Sequence, residues 1–212
     1  MDDLAGFPPH AFDKADPAPD AAFYAHPRLV AHIDDGAVAA VTELYREVLP
    51  PGGAVLDLMA SWISHLPPEI GYGHVTGHGM NAVELAANPR LDDWFVQDLN
   101  ADPVLPLPSA RFDAACLCVS IQYLQQPVAV LREVARVLRP GAPLVITFSN
   151  RCFPTKAVAI WQALEGPAQQ KLVALYLQRA GFPRIETGEV LPAMGDPLRA
   201  VIGWTWADEA GR

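Results

Sequence analysis

Several side chains in this sequence could hold a ligand or move a proton. Asp57 lies near the end of an apolar run, Ala54 to Leu58, after which the chain turns through Met59, Ala60, Ser61 and Trp62. In an α/β domain the first strand delivers its loop to a bound ligand at this point. Such a turn favours glycine, which takes positive φ and lets a ligand approach the backbone. Met59, Ser61 and Ile63 stand in the expected glycine places. His65 follows in Ser64-His65-Leu66-Pro67. A histidine titrates near neutrality and can act as a general base. Beside prolines it more often serves as a hydrogen-bonded structural residue, and that is the reading preferred here.

Metal chemistry is not expected. His26, His32 and Asp34 lack a zinc spacing such as His-x-x-x-His. Cys116 and Cys118 share one face of a strand by period two, and Cys118 could approach Cys152 from a neighbouring strand. Buried structural cysteine is the commoner outcome.

The elements that position these residues alternate. Val38, Val41, Leu44, Tyr45 and Val48 give one apolar helical face over Ala37 to Leu49, with Asp34 or Asp35 as N-cap. Strands are predicted at Ala54 to Leu58, Gly73 to Gly77, Trp94 to Gln97, Phe112 to Val119 and Pro143 to Phe148. A helix or irregular turn, cut by Pro67-Pro68, lies between the first two. Asn81 opens a short helix to Ala87, with Glu84 at capping-box spacing. Helices follow at Pro127 to Leu138, Thr155 to Leu164 and Pro167 to Ala180, and the chain closes with strands Arg184 to Val190 and Ala200 to Trp206. The alternation implies an α/β Rossmann-like fold, a mostly parallel sheet ending in an antiparallel hairpin. Residues 1 to about 22, rich in proline, read as a poorly ordered arm that Phe7, Phe12 and Phe23 could pin down. The expected division is an arm and lid over 1–36 and one domain over 37–212.

Composition narrows the partners. The chain has 212 residues, 51% of them apolar, and a net charge of −9. An acidic chain without a Lys/Arg cluster disfavours nucleic acid and anionic membrane, leaving a small molecule or a protein as the expected partner. No apolar run approaches the ~20 residues of a membrane span. Three cysteines and an acidic start, Met1-Asp2-Asp3, point to a cytoplasmic protein.

Three segments carry a family resemblance. Val55-Leu56-Asp57-Leu58, Val96-Gln97-Asp98-Leu99, and the run from Phe112-Asp113-Ala114-Ala115 through Glu133-Val134-Ala135-Arg136-Val137-Leu138-Arg139-Pro140-Gly141 resemble class I S-adenosylmethionine-dependent methyltransferases. The likeness spans about Tyr24 to Trp206. It implies a seven-stranded sheet, S-adenosylmethionine as cofactor and methyl transfer to a small molecule. It places Asp57, Met59, Ala60, Ser61, Gly79, Met80, Asp98, Leu99 and Ser120 at the cofactor, with Asp98 facing the adenine. Tyr24 and Arg28 would belong to a lid, Arg28 suiting the cofactor carboxylate. Ser120, Gln122 and Tyr123 would face the substrate, with His65 a further candidate. Apart from the resemblance, Arg151 and Lys156, after the fifth strand, could hold an anionic substrate, although surface solvation is the default for either.

Two departures fall on the cofactor site. The family's glycine loop is replaced by Asp57-Leu58-Met59-Ala60-Ser61-Trp62-Ile63-Ser64-His65-Leu66-Pro67, similar to a divergent methyltransferase-like branch. Gly79 stands where the family has an acid for the ribose, which would open room there. Asn81 could instead bond a ribose hydroxyl, although a helix cap is its simpler role. Met59 and Trp62 are bulky enough to fill ligand space. The alternative function is therefore a methyltransferase-like fold that lost methyl transfer and binds a ligand or partner.

Overall fold

The computed structural model describes residues 3–190 and 195–207; the chain ends and the segment 191–194 of the expected domain lie outside the described residues. A seven-stranded sheet runs in the order β3-β2-β1-β4-β5-β7-β6. Its parallel strands are β1 (Ala54–Asp57), β2 (His74–Gly79), β3 (Asp93–Val96), β4 (Ala114–Cys118) and β5 (Pro143–Ser149). β6 (Arg184–Val190) and β7 (Leu198–Trp204) form an antiparallel pair, and β7 also runs antiparallel to β5.

The strands are apolar on both faces because helices cover both. Val55, Val75, Ala114, Cys116 and Val145 pack with Val41 and Tyr45 of α2 (Asp35–Val48). Their sequence neighbours Leu56, Ala115, Leu117, Leu144 and Ile146 point the other way. There they meet Leu131 and Val134 of α4 (Pro127–Val137) and Val173 and Leu177 of α6 (Gly166–Ala180). Each large side chain so buried contributes about 1.5–3 kcal/mol. Asp34 caps α2, its Oδ1 accepting from Ala37 N, and Gly181 ends α6 in the left-handed conformation.

Several boundaries differ from expectation. β2 extends to Gly79, so Gly79 ends a strand instead of following one. Of the two alternatives between β1 and β2 the irregular one holds: residues 58–73 contain no helix, Pro67 and Pro68 remove donors, and side-chain bonds hold the loop. The helix expected at Thr155 to Leu164 shrinks to α5 (Ala159–Gln162). β7 stops at Trp204, leaving Trp206 73% exposed.

The proline-rich arm is ordered, contrary to the reading from its composition. Phe7 and Phe12 meet edge-on at 5.1 Å and both approach Tyr176 of α6. The short helix α1 (Asp20–Phe23) is tied down by a buried ion cluster. Lys156, fully buried, lies 3.0 Å from Asp16 and 3.3 Å from Asp20, and Lys14 also pairs with Asp20. Lys156 is therefore a structural clamp, not a group for an anionic substrate.

Candidate functional site

A cavity of about 330 Å³ opens at the carboxyl ends of β1, β2, β3 and β4. β1 sits between β2 and β4, which is the switch point where α/β sheets bind ligands. The loop after β1 forms its floor. Met59 adopts φ 57°, the left-handed conformation for which glycine is the usual residue. Its side chain is partly buried against the core and also lines the cavity.

The loop is bound to β2 instead of standing free. Met59 N donates to His78 Nδ1 at 3.2 Å, and Ala60 N donates to His78 O at 2.6 Å. His78 Nε2 meets Gln97 O at 3.0 Å. A carbonyl can only accept, so Nε2 carries the proton and Nδ1 is the acceptor. Burial holds the pKa of His78 down at about 4. A Cβ on Gly79 would lie 2.5 Å from Ala60 O. The missing acid thus opens no room: the loop backbone occupies that space.

Glu84, in α3 (Ala82–Ala87), does not reach back to its own cap. Asn81 alone caps the helix, its Oδ1 accepting from Val83 N and Glu84 N, while its Nδ2 holds Tyr24 O at 2.9 Å. Glu84 instead accepts from Ser61 Oγ at 2.5 Å and Arg28 N at 2.7 Å. It therefore joins the β1 loop to the segment over the cavity. Trp62 does the same from outside, its indole Nε1 donating to Val30 O at 3.1 Å.

Asp57 is buried at the cavity wall. Burial raises its pKa to about 6, against hydrogen bonds from Ser64 Oγ and Cys116 Sγ that favour the charged form. Asp98, after β3, accepts from Asn100 N at 2.9 Å and Ala101 N at 3.4 Å through Oδ1. It therefore makes the turn and lines the cavity at once. Ser120 Oγ is buried without a hydrogen-bond partner. His65 lines the cavity with its Nδ1 likewise unpartnered, contrary to the structural bond expected for it. Burial, then neighbouring His32, lowers its pKa to about 4.

The cavity brings together Asp57, Met59, Ala60, Ser61, Gly79, Met80, Asp98, Leu99, Ser120, Tyr123, Tyr24 and His65. Two expected residues stand apart from its lining. Arg28 turns its guanidinium to Phe23, 4.4 Å above the ring and bonded to Phe23 O, because aromatic rings surround it. Gln122 spends its Nε2 on Val119 O and Arg151 O, bracing two loops from behind. Arg151 reaches the lining but is paired with Asp196 at 2.8 Å. Among the described residues no group of three or more His, Cys, Asp or Glu is placed to hold a metal. Phe153 lines the cavity, as expected of the Asn150-Arg151-Cys152-Phe153 segment after the fifth strand, while His78 and Asp20 do so without having been singled out for it. Only Gly77-His78-Gly79, a polar ring between two glycines in a buried strand, hinted at His78.

Comparison with known proteins agrees with this architecture. The family described as "Methyltransferase domain" matches residues 65–146. The ubiquinone/menaquinone biosynthesis C-methyltransferase UbiE of Roseobacter denitrificans is 30% identical over 138 residues, covering 60% of this chain and 45% of that protein. The chain thus spans less than half the length of that relative. Among solved structures, the [4+2]-cyclase SpnF superposes with a TM-score of 0.61 at 17% identity, over 89% of this chain and 91% of that one. The 1,6-didemethyltoxoflavin-N1-methyltransferase of Burkholderia thailandensis, with bound 1,6-didemethyltoxoflavin and S-adenosylhomocysteine, gives 0.58 at 16% identity, over 81% and 80%. The sheet order and these superpositions show the fold of class I methyltransferases, and residues 65–146 are similar to the methyltransferase domain family.

Proposed function

We propose that this protein binds S-adenosylmethionine in the cavity and transfers its methyl group to a small molecule. The observation that carries this reading is the placement of Asp57, Asp98, Leu99 and Ser120 around one cavity at the sheet's switch point. The residues fit the group. Ser120 Oγ is a buried polar atom without a partner, which a polar ligand would satisfy. Asp98 Oδ2 takes no hydrogen bond among the described residues, so the adenine amino group has an acceptor. Acidic Asp57, Glu84 and Asp98 suit a positively charged sulfonium.

When bound, the cofactor supplies an electrophilic methyl group. The chain's part is alignment and exclusion of water. Asp98 and Leu99 hold the adenine end. Ser61 and Met80 stand where the ribose would lie, in place of a dedicated acid. The segment up to residue 36 serves as lid, fastened by Asn81, Glu84 and Trp62. Ser120 and Tyr123 face the methyl acceptor, and neutral His65 is placed to bond it.

One observation favours a second reading, a fold that has given up methyl transfer. The Ala60 carbonyl lies against Gly79, and Met59 packs into the core, so the loop is closed where a cofactor loop is open.

Calorimetric titration with S-adenosylmethionine and S-adenosylhomocysteine separates the two. Micromolar binding, weakened about tenfold or more in Asp98→Ala, supports the first reading, a charged hydrogen bond being worth ~1.5–3 kcal/mol. Absence of binding by either compound at high protein concentration would overturn it.

A further inference from the structure

One wall of the cavity, built of aromatic rings, has its own chemistry. Phe153, in the loop after β5, is the hub of a ring cluster. Tyr123 stacks on it at 5.9 Å and 29°, and His32 meets it edge-on at 5.4 Å. All three rings line the cavity. They come from three segments: the strap before α2, the turn after β4 and the loop after β5. The Tyr123 hydroxyl is already engaged, accepting from Phe153 N at 2.9 Å, so Tyr123 offers its ring. Phe23 backs the wall at 5.2 Å from Phe153. Phe153 is only half-buried and His32 is exposed, so the core has not consumed these surfaces.

His65 lines the same cavity, near His32. Neither of its ring nitrogens has a hydrogen-bond partner among the described residues, and it lies close enough to His32 to feel its charge.

We propose that this wall of the cavity binds a planar aromatic hydroxy compound in its neutral form, with the ring against Phe153 and Tyr123 and the hydroxyl at His65. That this molecule is the methyl acceptor rests on the function proposed above; that it binds here rests on the aromatic wall and on unpartnered His65. Flat rings prefer offset or edge-on contact with other rings, a preference that a saturated ring lacks. A neutral imidazole has one donor and one acceptor, as a hydroxyl does. The low pKa of His65, about 4, keeps it neutral at physiological pH. A carboxylate or phosphate would meet Asp57, Glu84 and Asp98 on the same lining, while Arg151 is already paired with Asp196.

The test is calorimetric titration of the full chain with 2-naphthol, 2-naphthoate and cyclohexanol, without cofactor. 2-Naphthol is expected to bind at least about tenfold more tightly than either of the others. Phe153→Leu keeps apolar volume but removes the ring; it should lose about three- to tenfold in 2-naphthol affinity and leave cyclohexanol unchanged. His65→Phe should lose about tenfold for 2-naphthol. Equal binding of cyclohexanol or 2-naphthoate, or undiminished 2-naphthol binding in Phe153→Leu, overturns the proposal. The wild-type comparison decides even if a variant fails to fold. S-adenosylmethionine binding without 2-naphthol binding would sink this proposal alone; the reverse would sink only the proposed function.

Discussion

The imidazole of His78 supports the backbone of Met59. Met59 N donates to its Nδ1 at 3.2 Å, while its Nε2 is fixed by Gln97 O at 3.0 Å. One buried ring thus links the loop after β1 to the end of β3. Met59 holds φ 57° without being glycine, a conformation costing about 1–2 kcal/mol. The hydrogen bond to His78 helps offset that cost.

His78→Phe should therefore destabilise the fold by about 1–3 kcal/mol, since two backbone groups lose their partner. It should also change the response to acid. The folded pKa of about 4 lies below the ordinary 6.5, so the fold favours neutral His78. Its contribution is complete above about 6.5 and is lost as pH falls through about 4, the unfolded chain binding the extra proton. Urea midpoints from pH 7 to pH 4 should fall less steeply in the variant. An identical slope would contradict the role given to the ring.

Asp57 acts with the opposite sign. Its folded pKa of about 6 exceeds the ordinary 3.8, so the fold favours its protonated form. That contribution is present below about 3.8 and is lost as pH rises through about 6. Asp57→Asn should raise stability at pH 8, on the order of 2–3 kcal/mol, and change it little at pH 4. Denaturant titrations at the two pH values check this. If Asp57 holds a sulfonium, the same variant also loses cofactor affinity.

Restoring the family's residues separately should show how the loop is built. Gly79→Asp forces a Cβ towards Ala60 O, 2.5 Å away, and should cost about 1–3 kcal/mol without improving S-adenosylmethionine binding. Met59→Gly removes the left-handed strain but also a core contact, so thermal stability should change little. It clears side-chain atoms from the cavity, so ligand affinity should rise. Thermal melts paired with calorimetry read both effects. Unchanged affinity in Met59→Gly would show that the side chain does not obstruct the ligand.

Lys156→Met should destabilise the chain by about 1–3 kcal/mol, because the fully buried amine no longer bonds Ala18 O and Asp20, although Lys14 still pairs with Asp20. Asp20 also accepts from Asn100 Nδ2 at 2.8 Å, so the arm should loosen at the cavity edge. Limited proteolysis should then cut within residues 3–23 well before the wild type is cut. Equal protection in both proteins would mean that Phe7 and Phe12 anchor the arm without the ion cluster.

Strand and helix order, the antiparallel end of the sheet and the caps at Asp34 and Asn81 were legible in the sequence. They depend on period, on prolines and glycines at element ends, and on residues close along the chain. The absent glycines were equally plain, and they pointed to the turn Asp57 to Ser61, which lines the cavity. What replaced the glycines was not legible. His78 lies 19 residues from Met59, Glu84 lies 56 from Arg28, and Asp20 lies 80 from Asn100. No local pattern encodes such pairs, because they exist only once β1, β2 and the N-terminal segment are packed together. The arm was misread for the same reason. Its prolines forbid regular structure, but they do not prevent Phe12 from being buried or Asp16 from meeting Lys156. Arg28 and Gln122 have side chains suited to a ligand, yet the fold turned both onto protein partners. Side-chain chemistry is a property of the residue; which partner satisfies it is set by what the tertiary structure brings within about 3 Å.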